Sequence, residues 1–212
     1  MKSAPVRFGG IAARPPLTAP GQRIGLLGGS FNPPHDAHVL ISQTALRRLR
    51  LDAVWWIVTP GNPLKSHNEL ADLEERLAAC RTLVTRDARI RITSFETELG
   101  SPYTAATVAF LALRFPEVRF VWLMGADNLA QFHRWQHWRD IAATVPIAVI
   151  DRPGEHLRAL ASPAAHTLRE AFVSEREAAG LADRPPPAWT FVTGPLSPLS
   201  STAIRQARQT AR

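Results

Sequence analysis

The sequence predicts an α/β protein built as a Rossmann-like, doubly wound parallel sheet in three α/β/α layers. Two observations carry that expectation. Short apolar runs rich in β-branched and aromatic residues alternate with longer segments of helical spacing, the order that gives parallel strands joined by right-handed crossovers. The runs are nearly continuous rather than alternating, as strands covered on both faces must be.

The elements follow in order. "RIGLLGG" (23–29) reads as a buried strand ending in glycines, and "AHVLISQTALRRLR" (37–50) as the helix after it. "AVWWIVTP" (53–60) is a second strand stopped by proline, and "ELADLEERLAACRTLV" (69–84) a second helix. "IRITSF" (90–95) is a third strand, followed by the helix "TAATVAFLALRF" (104–115) with Thr104 as its expected N-cap. "VRFVWLMG" (118–125) is a fourth strand, "DIAATV" (140–145) a short helix and "PIAVIDRPG" (146–154) a fifth strand. Residues 155–180 carry helical stretches broken by Pro163 and read either as two helices or as an insertion. "WTFVTG" (189–194) is a sixth strand, and "SSTAIRQARQTA" (200–211) a serine-capped closing helix. Residues 1–20 are expected to be a flexible leader without the apolar core of a secretory signal, and residues 21–212 a single domain.

Composition narrows the function classes. The 212 residues suffice for one substantial core, and 45% of them are apolar. No run approaches the ~20 apolar residues of a membrane span, so neither a membrane nor a secreted setting is expected, and a cytoplasmic one is. The lone Cys80 excludes an intrachain disulfide and lies at helical spacing, as a buried helix residue would. The net charge of +7 is scattered, with no long basic run and no basic–aromatic alternation. Such a balance is compatible with nucleic acid, an acidic surface or a polyanionic small substrate, and the scatter leaves only a weak signal for nucleic acid. The sequence does not set the oligomeric state, and a homo-oligomer is compatible with it.

The chemistry concentrates in "GGSFNPPHDAH" (28–38). Glycines at the end of the first strand permit a sharp turn and close approach of a phosphate. The helix beginning near Asp36 aims its unpaired N–H groups and positive dipole end at the same space. His35 and His38, three apart, share one side of that helix start and can hydrogen-bond a polyphosphate. Two imidazoles alone fall short of a stable metal site, so no protein-bound metal is expected. The pattern is neither the dinucleotide fingerprint nor the P-loop.

These residues resemble the phosphate-binding signature of the nucleotidyltransferase superfamily, which usually ends H-x-G-H; Ala37 stands where that glycine would be. More narrowly, the chain is similar to the bacterial nicotinate-nucleotide adenylyltransferases. "GGSFNPPH", "NPLK" (62–65), "SPYTAATV" (101–108), "MGADNLAQFHRW" (124–135), "VIDRPG" (149–154) and "SSTAIR" (200–205) resemble that family's motifs in the right order. The resemblance implies transfer of AMP from ATP to nicotinate mononucleotide by direct in-line displacement. Nicotinate adenine dinucleotide and pyrophosphate would be the products, as a step of NAD biosynthesis, with Mg2+ accompanying ATP.

By the same resemblance, His38 is the principal catalytic residue, stabilising charge on the α-phosphate with His35 assisting. Gly28, Gly29, Ser30 and Phe31 form the backbone cradle. Ser200, Ser201 and Arg205 grip the β- and γ-phosphates, and Lys65 reaches a phosphate of either substrate. Gly125, Asp127 and Arg152 contact the nucleotide. Tyr103 and Thr104, at a helix start, meet the nicotinate carboxylate, and Trp135 rather than Trp138 stacks on the pyridine ring. Each of these also has an ordinary reading: Ser200 as a plain cap, Lys65 as a solvated loop lysine, Asp127 as a cap, Trp135 as a core anchor. Two alternatives stay open at this point: the same chemistry on nicotinamide mononucleotide, and a non-catalytic nucleotide-binding protein of the same fold.

Overall fold

The computed structural model describes residues 13–60, 70–101, 103–194, 197, 199, 201 and 205. Among these, seven strands form one sheet in the order β3-β2-β1-β4-β5-β7-β6. The strands are β1 (Arg23–Gly29), β2 (Ala53–Val58), β3 (Ile90–Thr93), β4 (Arg119–Gly125), β5 (Ile147–Ile150), β6 (Phe172–Val173) and β7 (Trp189–Val192). Every pairing is parallel. The helices are α1 (Asp36–Arg48), α2 (Leu73–Leu83), α3 (Thr104–Arg114), α4 (Ala126–Leu129), α5 (Trp138–Thr144), α6 (His156–Leu160) and α7 (Pro163–Thr167).

Strand alternation sorts the buried side chains onto two faces. Leu27, Val54, Trp56, Val58, Val121 and Leu123 meet α1, α2 and a 3-10 segment at Glu175–Asp183. Leu26, Trp55, Ile57, Trp122 and Met124 meet α3 to α7 on the other face. Both faces are thus covered, and the three layers expected from the continuous apolar runs are present.

The chain winds outward from β1 through β2 to β3, then returns to start β4 on the other side of β1. The strand order therefore reverses between β1 and β4. At such a switch point the adjoining loops part and leave a crevice beyond the carboxyl ends of the strands. Gly28-Gly29, Gly125 and the residues after Ile150 end their strands at that crevice. At the opposite end, Arg23 and Arg119 both pair with Asp183, so part of the basic charge lies away from the crevice.

Several elements depart from expectation. β3 ends at Thr93, and a 3-10 turn (Phe95–Glu98) sends Phe95 into the core. α2 starts at Leu73 because Asp72 caps it, its carboxylate accepting from the Glu74 N–H at 2.8 Å. Thr104 is the first helical residue of α3 rather than its cap. Tyr103 is the N-cap, because its backbone is extended and its carbonyl accepts from the Ala106 N–H at 3.0 Å. Residues 155–180 form the two short helices α6 and α7, then β6, a strand not anticipated. Near the amino terminus, the Arg14 carbonyl accepts from Thr93 Oγ1 at 2.8 Å and the Leu17 carbonyl accepts from the Arg91 guanidinium. No described helix is long and apolar enough to cross a membrane. The closing helix expected at 200–211 lies outside the described residues except for Ser201 and Arg205, both helical.

Candidate active site

The loop after β1 is held from beneath by its carbonyls. Gly29 O accepts from the Thr59 N–H at 3.0 Å, and His35 O from the His38 N–H at 2.9 Å. Asn32 O accepts from Arg205 Nη1 at 2.7 Å and Pro33 O from Ser201 Oγ at 2.9 Å. The negative ends of these peptide dipoles point into protein donors, which suits a loop that is to face an anion. Phe31 takes a left-handed backbone, φ 46°, unusual for a bulky residue. Its ring compensates by lying buried and stacked on Trp56, 4.9 Å between centroids and 17° between planes.

His35 is the N-cap of α1, and its backbone N–H donates to His38 Nδ1 at 3.2 Å. An accepting Nδ1 puts the proton of the neutral His38 ring on Nε2. The two rings lie 3.9 Å apart. The His38 carbonyl accepts from Ser42 Oγ at 2.8 Å, and that hydroxyl accepts from Trp56 Nε1 at 2.7 Å. His38 is thereby fixed through both backbone and ring, and Ala37 beside it is buried without distorting the cap.

His35 is only 6% exposed. Burial, reinforced by the Arg152 charge and opposed by Asp36 and Asp127, pulls its pKa down to about 4. The ring is therefore neutral at pH 7. Between about pH 6.5 and 4 the unfolded chain binds a proton at this site that the folded chain does not. Stability from His35 is complete above pH 6.5 and is lost as pH falls through 4, in an amount on the order of 3 kcal/mol. Thermal melts from pH 7 to pH 4.5 are expected to show this loss, and His35→Asn to flatten it. An unchanged slope in the variant would remove His35 as its source.

The charges acting on His35 also locate the opposite wall. Gly125 caps α4 in an extended conformation. A Cβ there would stand 2.8 Å from Arg152 Cδ and collide with Asp127 Oδ1. Arg152, just beyond β5, lies with Nη1 3.7 Å from Asp127 Oδ1, a buried oxygen with no hydrogen-bond partner among the described residues. Arg152 also donates to the Leu199 carbonyl. Residues from the ends of β1, β4 and β5 thus converge around one crevice. Gly125→Ala is expected to displace both side chains and raise KM for ATP by about 10-fold, measured by initial rates; an unchanged KM would take Asp127 and Arg152 out of nucleotide binding.

Tyr103 and Thr104 begin α3, which packs against α5, and Tyr103 is exposed. Trp135 closes the 3-10 turn Phe132–Arg134, three residues before α5, and is half-buried, edge-on to Trp122 at 6.4 Å and to Phe132 at 5.4 Å. Trp138 is buried in the core against Phe132, which leaves Trp135 as the accessible ring of the two. Lys65 and Ser200 lie outside the described residues. Cys80 is buried and its thiol is pushed up to about 12, as an inert core residue. Sequence reasoning missed Ser42 and Trp56, which read as ordinary helix and strand residues. It also gave Asn32 no role, although Asn32 Oδ1 accepts from the Ala71 N–H at 3.2 Å and ties the loop to the approach of α2.

Comparison with known proteins agrees with this geometry. The cytidylyltransferase-like family model matches residues 26–207. A Rhizobium meliloti (strain 1021) protein named "Probable nicotinate-nucleotide adenylyltransferase" is 58% identical over 185 residues, covering 87% of this chain and 98% of its own. A protein of the same name from Agrobacterium fabrum is 58% identical over 182 residues, covering 86% and 97%. The solved Plasmodium falciparum nicotinic acid mononucleotide adenylyltransferase complexed with APC superposes with a TM-score of 0.66 at 15% identity, covering 87% of this chain and 83% of that one. At that identity the likeness speaks to the fold. The matched span takes in every strand of the sheet except the first residues of β1, and it includes the histidine-bearing loop. The chain belongs to the cytidylyltransferase-like family and, within it, to the nicotinate-nucleotide adenylyltransferases.

Proposed function

We propose that the protein transfers the adenylyl group of ATP to nicotinate mononucleotide, giving nicotinate adenine dinucleotide and pyrophosphate, a step of NAD biosynthesis. The observation that carries this reading is the His35–His38 cap at the β1–β4 switch point. It fixes the His38 ring beside a loop whose Gly29, Ser30, Asn32 and Pro33 carbonyls accept from protein donors. A phosphate oxygen of the mononucleotide attacks the α-phosphorus in line with the departing pyrophosphate. Such a transfer needs positioning and charge neutralisation, not an enzyme nucleophile.

His38 Nε2–H donates to the α-phosphate, where charge grows in the transition state. His35, neutral and packed on His38, supports that ring. The backbone from Gly28 through Phe31 cradles the phosphates, with Lys65, Ser200, Ser201 and Arg205 toward the β- and γ-phosphates. Gly125, Asp127 and Arg152 receive the nucleotide. Tyr103 and Thr104 present a helix start to the nicotinate carboxylate, and Trp135 stacks on the pyridine ring.

Mg2+ bound with ATP would supply charge neutralisation on the phosphates, held chiefly by them and by water. Asp127 Oδ1, which faces Arg152 Nη1 at 3.7 Å and has no hydrogen-bond partner among the described residues, could accept from a water of that shell. The net charge of +7 is assigned to drawing in these polyanions rather than nucleic acid. Residues 21–212 act as one domain in this reading, in the cytoplasm where ATP is available.

The test supplies MgATP with nicotinate mononucleotide or nicotinamide mononucleotide and measures pyrophosphate release. Turnover should be faster with nicotinate mononucleotide. No turnover with either would remove the reaction; turnover only with the nicotinamide form would remove the substrate assignment.

A further inference from the structure

Arg76 is a buried cation outside every motif used above. It lies in the first turns of α2 and is 3% exposed. Burial pulls the guanidinium below its usual pKa, and no carboxylate forms an ion pair with it among the described residues. Placing a guanidinium in such a site is costly unless its donors are taken up. Four backbone carbonyls take up four of its five N–H donors. Nη1 donates to Ser30 O at 2.8 Å and Thr59 O at 2.7 Å, Nε to Ala71 O at 2.9 Å, and Nη2 to Pro60 O at 3.4 Å.

Those carbonyls belong to three segments. Ser30 lies in the phosphate-facing loop after β1, Thr59 and Pro60 follow β2, and Ala71 leads into α2. The same segments are cross-linked beside Arg76 by Thr59 N–H to Gly29 O at 3.0 Å and Ala71 N–H to Asn32 Oδ1 at 3.2 Å. The planar fork of one guanidinium can serve three segments at fixed angles; a lysine ammonium cannot.

We propose that Arg76 is a positioning residue for phosphate binding: it sets the Ser30 end of the phosphate-facing loop against the ends of β2 and α2, and so aligns the Gly28–Phe31 backbone with the triphosphate. The assignment rests on the adenylyl-transfer reading for its kinetic consequence. Its structural premise, a loop shaped for phosphates, can be measured without turnover.

Arg76→Lys and Arg76→Gln test it, assayed at a temperature where circular dichroism shows each variant folded. At saturating nicotinate mononucleotide, KM for ATP should rise about 10-fold or more in both, because misplacing a binding group by ~1 Å costs on that scale or beyond. Pyrophosphate affinity, measured by calorimetry, should fall in parallel. A purely structural role would lower the melting temperature and leave both quantities within about 2-fold of the wild type, overturning the proposal. Failure of the lysine variant to fold would assign the clamp to the fold as a whole and overturn it equally. If the wild type binds pyrophosphate but transfers no adenylyl group, the reaction reading falls, and pyrophosphate affinity alone decides the role of Arg76.

Discussion

Replacing His38 with alanine is expected to lower kcat by about 10²–10³-fold while changing KM for ATP much less. The reason lies in how the imidazole is held. Nδ1 accepts the His35 N–H at 3.2 Å, so the neutral ring carries its proton on Nε2. The His38 carbonyl is held by Ser42, and Trp56 holds Ser42 in turn. The donor is therefore oriented before substrate arrives and needs no reorganisation as charge builds on the α-phosphate. His38→Asn should recover little of the lost rate, since a shorter amide cannot both accept from His35 and reach the phosphate. Steady-state kinetics on the folded variants check this. A His38→Ala enzyme with near-normal kcat would move the catalytic centre elsewhere.

The second large effect is expected at Gly28. A Cβ on this residue would stand 2.6 Å from Cη2 and 3.1 Å from Cζ2 of Trp122. That indole is buried in β4 and cannot swing aside as a flexible side chain would. Gly28→Ala should cost about 1–3 kcal/mol of stability, as overpacking does in well-filled cores. Catalysis should suffer at both substrates, because Trp122 also meets Trp135 edge-on at 6.4 Å. A shift of Trp122 would disturb the phosphate loop on one side and the proposed pyridine platform on the other. Denaturant titration reads the first effect, and KM for each substrate reads the second. Gly29→Ala is the control, since its Cβ would meet the Phe31 ring no closer than 3.4 Å. Equal losses at the two glycines would remove Trp122 as the cause.

Much of this was legible in the sequence because the site is written in residues with strong local meaning. Glycines closing an apolar run, prolines, and two histidines at a helix start constrain backbone and chemistry within eleven residues. The long strands and α1 were legible for the same reason: their apolar periodicity is sustained. Residues 155–188 were less so, because α6 and α7 have five residues each, β6 has two, and the nine-residue Glu175–Asp183 segment winds as a 3-10 helix where its apolar spacing suits an α-helix. Tertiary roles were not legible at all. Arg76 sits in "LEERLAAC", where an arginine normally reads as solvated helix surface. Only the packing of α2 against the ends of β1 and β2 buries it. Trp56 likewise reads as one core strand residue among several, until the fold sets its ring under Phe31 and its N–H on Ser42.

The central claim is that this chain positions and neutralises while the two substrates react directly, with no covalent adenylyl-enzyme. Stereochemistry at the α-phosphorus tests it most directly. With one diastereomer of ATP carrying sulfur on the α-phosphate, and nicotinate mononucleotide as acceptor, the dinucleotide product should form with inversion, the signature of a single in-line displacement. Retention would mean two successive displacements through an enzyme-bound adenylyl group, and would contradict the mechanism.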